Sequence, residues 1–444
     1  MIRFIKHIFL SARFFLFGGI ISAVYALSFA FPLIMAVAHV AMLVLAVVSV
    51  LDAILLFLSK EPVKCTRAVP NVLSLSDENS IRLILTNNLS FKLKVKIIEE
   101  LPYQLDIRDF NLNLFLNAFE KKKVEYTIRP LTRGKYNFGN ANIFISSPLR
   151  FIVRRHICVI ADELAVYPSI LQMKKYELMA VRSITHYQGL KKIRKIGHSY
   201  EFEQIKTYVP GDDTRSINWK ASSRTGTIMV NQYEDERSQP VYAIIDRSRS
   251  MLMPFNGLSL LDYSINTSLA ISNIVLRKHD KAGLLTFSNK IGSVIKAEKH
   301  NKQLHKILNA LYSAKESSNE ANYELLYSAV RNFIHGRSLL FLYTNFESIY
   351  SLERVLPILR KLNRLHLLVV MFFENTELKD FIHEECRNLL DIYQQTAGRK
   401  FLSEKQYIIQ ELHKHGIQTI KSKPEDLSIN TINKYLELKS RGYI

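Results

Sequence analysis

Asp246, Ser248 and Ser250 alternate along Val241-Tyr-Ala-Ile-Ile-Asp246-Arg-Ser248-Arg-Ser250-Met251, where an apolar run empties into one carboxylate and two hydroxyls. Hard oxygen donors at alternating positions suit Mg2+ or Mn2+. The same groups suit a plainer task, because Asp and Ser beyond a strand accept backbone N–H bonds and cap the turn that follows. Arg247 and Arg249, interleaved with them, could equally pair with an acidic partner.

Upstream, Tyr208-Val-Pro210-Gly211-Asp212-Asp213-Thr-Arg215-Ser-Ile217-Asn218-Trp219-Lys220-Ala-Ser-Ser-Arg224 crowds two carboxylates and three cations around a Pro-Gly turn and the only tryptophan. One reading is an ion-pair cluster satisfied within itself, with Trp219 anchored in a core. The other is a docking surface on which Asp212, Asp213, Arg215, Trp219, Lys220 and Arg224 meet another protein.

Apolar runs at 241–246, 282–288, 338–343, 365–373 and 417–420 alternate with longer segments of helical period. Leu261, Ile265, Leu269 and Leu276 fall on one helical face, as do Leu352, Val355, Leu356, Leu359 and Leu362. That alternation predicts a parallel sheet covered by helices, with the Asp246 loop at the carboxyl ends of the strands. Between 61 and 165 the period is two, clearest in Phe91-Lys-Leu-Lys-Val-Lys-Ile97 and Val124–Ile128. Further strands are expected at 81–85, 136–138, 143–145 and 157–160, an antiparallel β-sandwich of Ig-like type with no catalytic spacing. The four expected segments are 1–60, 61–165, 166–240 and 241–444, the third a connector that is basic and helical around Lys174 to Lys195.

About 38 residues, Phe14 to Leu51, carry no Lys, Arg, Asp or Glu. A single helix of that length would far exceed a hydrocarbon core of about 30 Å, so two spans are predicted, near 14–31 and 35–57, turning at Pro32. A cleaved signal peptide is the rival reading of the first span. Arg3, Lys6 and Arg13 before the pair and Lys60, Lys64 and Arg67 after it place both ends, and hence the soluble bulk, in the cytoplasm. Asp52 reads as an interfacial residue, with no partner charge visible.

The net charge of +20 is spread through the chain without a nucleic-acid module, so anionic lipid is the expected counterpart, including for Lys191-Lys-Ile-Arg194-Lys195. Cys65, Cys158 and Cys386 lack disulfide or zinc spacing and are expected as reduced thiols. No phosphate loop, G-x-S-x-G or H-E-x-x-H occurs, and His383-Glu-Glu-Cys386 has the wrong spacing for a zinc helix. Catalysis is not expected; a metal-dependent phosphoester hydrolase at the membrane surface is the alternative.

The Asp246 loop resembles the metal-ion-dependent adhesion motif of von Willebrand factor A domains. The resemblance implies two further ligands, a Thr from a later loop and an Asp after a later strand. Asn345 stands where that Asp belongs, and Ser317, Ser318 and Asn319 offer only Ser or Asn in the expected loop, so protein docking comes first and the ion second. The run from Tyr208 to Arg224 resembles the signature of the bacterial domain of unknown function 58 family, Tyr-x-Pro-Gly-Asp-Asp-x-Arg-x-Ile-Asp-Trp-Lys-x-x-Ala-Arg, with Asn218 for Asp and Ser223 for Ala. That family's plan is a membrane hairpin, a β-rich segment, the signature and an A-like domain. It implies an inner-membrane scaffold or adaptor working with a MoxR-type AAA+ ATPase in a chaperone-like or cell-envelope process.

Overall fold

The computed structural model describes residues 7–443 apart from 29, 30, 32, 71, 175–200, 211, 235–237, 301, 347 and 385–387. The Lys191–Lys195 patch, Gly211, Cys386 and most of the connector from Lys174 to Lys195 therefore lie outside the described residues. The chain divides into two compact units, residues 1–167 and 168–444.

The first unit opens with β1 (Ile8–Leu10), α1 (Ala12–Ser28) and α2 (Leu33–Phe57). The two apolar helices pack on each other, with the Tyr25 and His39 rings edge to face at 5.3 Å. Ile34–Phe57 is long and apolar enough to cross a membrane; α1, at 17 residues, is shorter, and both helices begin earlier than the sequence suggests. Ten strands follow: β2 (Val63–Ala68), β3 (Val72–Ser74), β4 (Asn79–Asn87), β5 (Leu93–Glu99), β6 (Asn111–Leu116), β7 (Lys121–Ile128), β8 (Gly134–Phe138), β9 (Ala141–Ser146), β10 (Ile152–Cys158) and β11 (Asp162–Tyr167). They form sheets ordered β1-β10-β9-β5-β6, β2-β4-β7 and β3-β11-β8, antiparallel except where β11 meets β3. Every expected strand is present. Those expected near 91–97 and 157–160 shift to Leu93–Glu99 and Ile152–Cys158, because pairing with β9 sets both registers.

Alternation does the packing in β5: Leu93, Val95 and Ile97 are fully buried while Lys94 and Lys96 face solvent. Glu99 continues the buried phase and meets Arg67, whose guanidinium also donates to the carbonyls of Ile160 and Gly139. A carboxylate without that partner would be a large penalty here.

Asp52 is held by neutral donors from outside its own helix. It is fully buried, accepts from the amides of Phe151 and Ile152 at 2.8 Å each, and takes the Ser147 hydroxyl as well. Just beyond it, the Arg154 guanidinium donates to the carbonyl of Leu56, an orphaned acceptor of the α2 C-terminus, and to those of Ser59 and Lys60 past the helix end. The last turns of the apolar helix are thus bolted to the loop before β10.

The second unit carries a two-stranded sheet of β12 (Glu201–Thr207) and β13 (Met229–Glu234) with α3 (Trp219–Thr225) in the connection between them. After it come β14 (Pro240–Asp246), a small hairpin of β15 (Pro254–Phe255) and β16 (Leu258–Ser259), α4 (Leu260–Arg277), β17 (Lys281–Phe287), β18 (Ile291–Glu298), α5 (Gln303–Ser313) and α6 (Tyr323–Phe333). The chain ends with β19 (Leu339–Tyr343), α7 (Ile349–Leu365), β20 (Leu367–Phe373), α8 (Thr376–His383), α9 (Leu389–Lys414), β21 (Gln418–Ser422) and α10 (Leu427–Ser440).

The main sheet has the order β18-β17-β14-β19-β20-β21, parallel except for β18 at one edge, a strand the sequence pattern did not announce. Val241, Ala243 and Ile245 bury against one helical layer, which includes α4 and α10; Tyr242 and Ile244 bury against the other, with α6, α7 and α9. Both faces being covered explains why these strands read as unbroken apolar runs. The expected stripes on α4 and α7 lie in these two cores, Leu276 and Leu356 at their margins. Gly283 is required where it stands, since a Cβ there would come within 2.3 Å of the Tyr242 ring.

Candidate functional site

Chain order places the site. From β14 the chain crosses to β17 on one side and later returns to β19 on the other, so the connections diverge between β14 and β19. A crevice opens at such a switch point, outside the carboxyl ends of the two strands. Asp246 ends β14 there, and Thr344 and Asn345 follow β19.

Asp246 is almost fully buried. Its Oδ1 accepts the Ser248 amide at 2.8 Å and its Oδ2 accepts the Thr344 hydroxyl at 2.8 Å, which in turn lies 2.7 Å from the hydroxyl of Tyr323. Burial pushes the Asp246 carboxyl above its ordinary pKa, against the pull of these hydrogen bonds. Tyr323 is pushed well up by its own burial and then by the Asp246 charge beside it. Ser248 and Ser250 bring their hydroxyls within 3.1 Å of each other. Asn345 donates from Nδ2 to the Ser250 carbonyl at 3.1 Å, and its Oδ1 accepts the Lys405 ammonium.

The loop that follows α5 lies alongside, as the sequence expected, but it contributes backbone. The Arg249 amide donates to the Asn319 carbonyl at 3.1 Å, and the Ser317 amide to the Arg247 carbonyl at 2.9 Å. Arg247 does not face a partner: its guanidinium donates to the Lys315 carbonyl and covers Gly292, where a Cβ would come within 2.7 Å of it. Arg249 does line the cleft of about 90 Å3 above Asp246, together with Glu320 and Arg354, which pair at 3.2 Å.

These donors fall short of a resident Mg2+ or Mn2+ shell. Asp246 is the one buried carboxylate among them, both its oxygens are already engaged, and Lys405 places a cation on Asn345 where the adhesion motif carries an Asp. Among the described residues no group of three or more His, Cys, Asp or Glu could hold a metal ion. Thr344, at the end of a strand and not in the loop where the resemblance implies a Thr, gives its hydroxyl to Asp246 itself. Thr344 was legible only as the residue after Phe341-Leu-Tyr343; Tyr323 and Lys405 come from separate helices and left no local signal.

The signature run folds differently from its ion-pair reading. Asp212 pairs with Lys206 at 2.7 Å and accepts the Val209 amide; Asp213 accepts the Arg215 amide and caps the short turn Thr214–Ser216. Asn218 caps α3 through Ala221 and donates from Nδ2 to Asn231 Oδ1 at 2.8 Å, a donation that an Asp could not make. Arg215, Lys220 and Arg224 are exposed and form no ion pair among the described residues. Trp219 is no core anchor. It is 73% exposed, because α3 is too short to bury both of its faces and turns this residue outward.

Residues 204–378, which include both the Trp219 run and the Asp246 loop, match the family described as Protein of unknown function DUF58. Over that stretch the chain is similar to the DUF58 family. A curated relative, the uncharacterized protein YeaD of Bacillus subtilis, is 23% identical over 47% of this chain. The chain spans about half the length of that relative, 51%. Among solved structures, the conserved hypothetical protein BatB from Bacteroides thetaiotaomicron aligns with 46% of this chain and 99% of its own, at 13% identity and a TM-score of 0.30. A CARDB domain from Pyrococcus furiosus aligns with 23% of this chain and 86% of its own, at 15% identity and a TM-score of 0.18.

Proposed function

We propose that this DUF58 protein is a membrane-anchored scaffold or adaptor that binds other proteins through its second unit. In this reading α1 and α2 form a two-span hairpin in the inner membrane of a bacterium, the β-rich segment is an Ig-like sandwich, and the parallel-sheet unit is a von Willebrand A-like domain facing the cytoplasm. The partner implied by the family resemblance is a MoxR-type AAA+ ATPase.

The observation that carries the reading is the exposed Trp219 set among Arg215, Lys220 and Arg224, none of them spent on an internal ion pair among the described residues. Tryptophan and arginine are the side chains most often found at the energetic centre of protein interfaces. The Asp246 cleft is a second contact, one into which a partner's acidic residue fits beside Arg249 and Arg354. Mg2+ or Mn2+ enters only when the partner brings the missing carboxylate.

The test is affinity recovery from solubilised membranes with the full chain. Trp219→Ala is expected to lower recovery of its partner by at least about tenfold, the scale of an interface hot spot, while leaving the thermal midpoint unchanged. Equal recovery of every partner by wild type, Trp219→Ala and Asp246→Ala would sink the adaptor reading. For the hydrolase alternative, Ser248 and Ser250 are the hydroxyls at the cleft, and among the described residues no histidine lines it to activate them.

A further inference from the structure

The first unit has two ends, and the helices leave from one of them. Leu10 pairs with Ile152, the Ser11 amide donates to the Phe151 carbonyl at 3.0 Å, and α1 begins at the next residue. Asp52 fixes α2 to the same stretch, Ser147 to Ile152. The part of α2 before that attachment, residues 33–51, measures about 29 Å at 1.5 Å per residue, close to the hydrocarbon thickness of a bilayer. If that length crosses the bilayer, the loop at 147–151 sits at its surface.

Two other turns, β4–β5 and β6–β7, share this end. Strand register carries β5 in from Phe91, β6 out at Leu116 and β7 in from Lys121, and hydrogen bonds from Asn87 to the carbonyls of Phe91 and Asn117 tie their turns together. What the turns display is distinctive. Phe115 is 45% exposed and Phe119, at the tip of its turn, 68%. Two cations lie over the Phe115 ring, Lys92 at 5.2 Å and Arg150 at 5.7 Å, and Lys122 donates to its carbonyl. Leu149 is exposed beside Arg150, and Lys94, Lys121 and Lys123 are exposed nearby. Against these stand Glu61 and Glu120, and Glu120 is occupied by the Asn117 amide at 2.6 Å.

From this placement we propose that the turns carrying Phe115, Phe119 and Leu149 form a lipid-contact face, seating the β-rich module on an anionic bilayer surface. Phe and Leu side chains on an interfacial face bury at the headgroup–acyl boundary, and lysines and arginines around them gain from anionic headgroups. The α2 clamp at Asp52 supplies the geometry by holding this end, and no other, against the membrane. The proposal rests on the membrane reading of α2 and adds the surface that follows from it. It accounts for exposed aromatics that would otherwise be a liability on a soluble module.

Full-length protein in nanodiscs of phosphatidylglycerol with shallow-brominated acyl chains provides the test, in a Trp219→Phe background. Phe119→Trp and Leu149→Trp are two probes on the proposed face, and Tyr103→Trp, at the far end of β5 and 87% exposed, is the control. The expected result is strong quenching at 119 and 149 with none at 103. Adding Lys92→Gln and Arg150→Gln should weaken the quenching by about fivefold or more, at roughly 1 kcal/mol per cation near the surface. Retention in the membrane after alkaline carbonate, with the indoles at 119 and 149 no more quenched than that at 103, overturns the lipid-contact face and leaves the anchor standing. Release by carbonate overturns both.

Discussion

The Thr344 hydroxyl donates to Oδ2 of Asp246 across 2.8 Å, joining the ends of two neighbouring parallel strands that lie 98 residues apart in sequence. This bond closes the floor of the cleft, and Tyr323 backs it from α6. Thr344→Val removes the donor and leaves a buried carboxylate oxygen unpaired, so the expected loss is about 1–3 kcal/mol of unfolding free energy, with Thr344→Ser near wild type. Urea denaturation of the full chain in detergent checks it. Equal stability of the Val and Ser variants would show that the bond contributes nothing.

Asp246 carries a pH signature. Its pKa in the fold is raised by burial, so between the ordinary carboxylate value of about 4 and the raised value the folded state binds more protons than the unfolded. Its contribution to stability is therefore fully present below the ordinary value, declines as pH rises through that window, and is flat above it. Asp246→Asn should remove this decline and raise the thermal midpoint at neutral pH relative to wild type, with the difference closing towards pH 4. A variant less stable than wild type at neutral pH would mean that the hydrogen bonds outweigh the burial.

Asp52 and Arg154 hold the apolar helix to the β-rich module by different means, the carboxylate through amides and the guanidinium through carbonyls. Asp52→Ala strands the Phe151 and Ile152 amides and the Ser147 hydroxyl, with an expected cost of about 3–5 kcal/mol as for other broken buried charge contacts. Limited proteolysis should then cut at 147–151 at least tenfold faster. Unchanged cleavage would show that the clamp is not what orders this loop.

Metal binding separates the two uses of the Asp246 loop. On the chain alone, Mn2+ titration followed by calorimetry is expected to show no saturable site tighter than about 1 mM, the weak limit for oxygen-ligand sites of low charge. Lys405→Ala with Asn345→Asp should create one, by removing the ammonium and restoring a carboxylate. Tight binding to the unaltered chain would make the ion resident and displace the direct-docking reading.

Local pattern determined a great deal. The uncharged run with its flanking cations, the period-two segment and the alternation of apolar strands with striped helices are all local properties, because residues a few positions apart share a face regardless of what lies opposite. The position of Asp246 at a strand end, and the likeness of the Tyr208–Arg224 run to a family signature, follow from the same order along the chain.

Tertiary structure alone decided what those residues touch. Asp52 has no partner within its own helix and finds three in a loop nearly a hundred residues away. Thr344, Tyr323 and Lys405 reach the Asp246 loop from different elements, and only the divergence of chain connections between β14 and β19 brings them together. Trp219 belongs to the same class: its composition suits a core or an interface equally, and the choice fell to whether a seven-residue helix had anything to cover that face. Side-chain type sets what a group can bind, but burial and partner distance are set by long-range packing, to which a local period is blind.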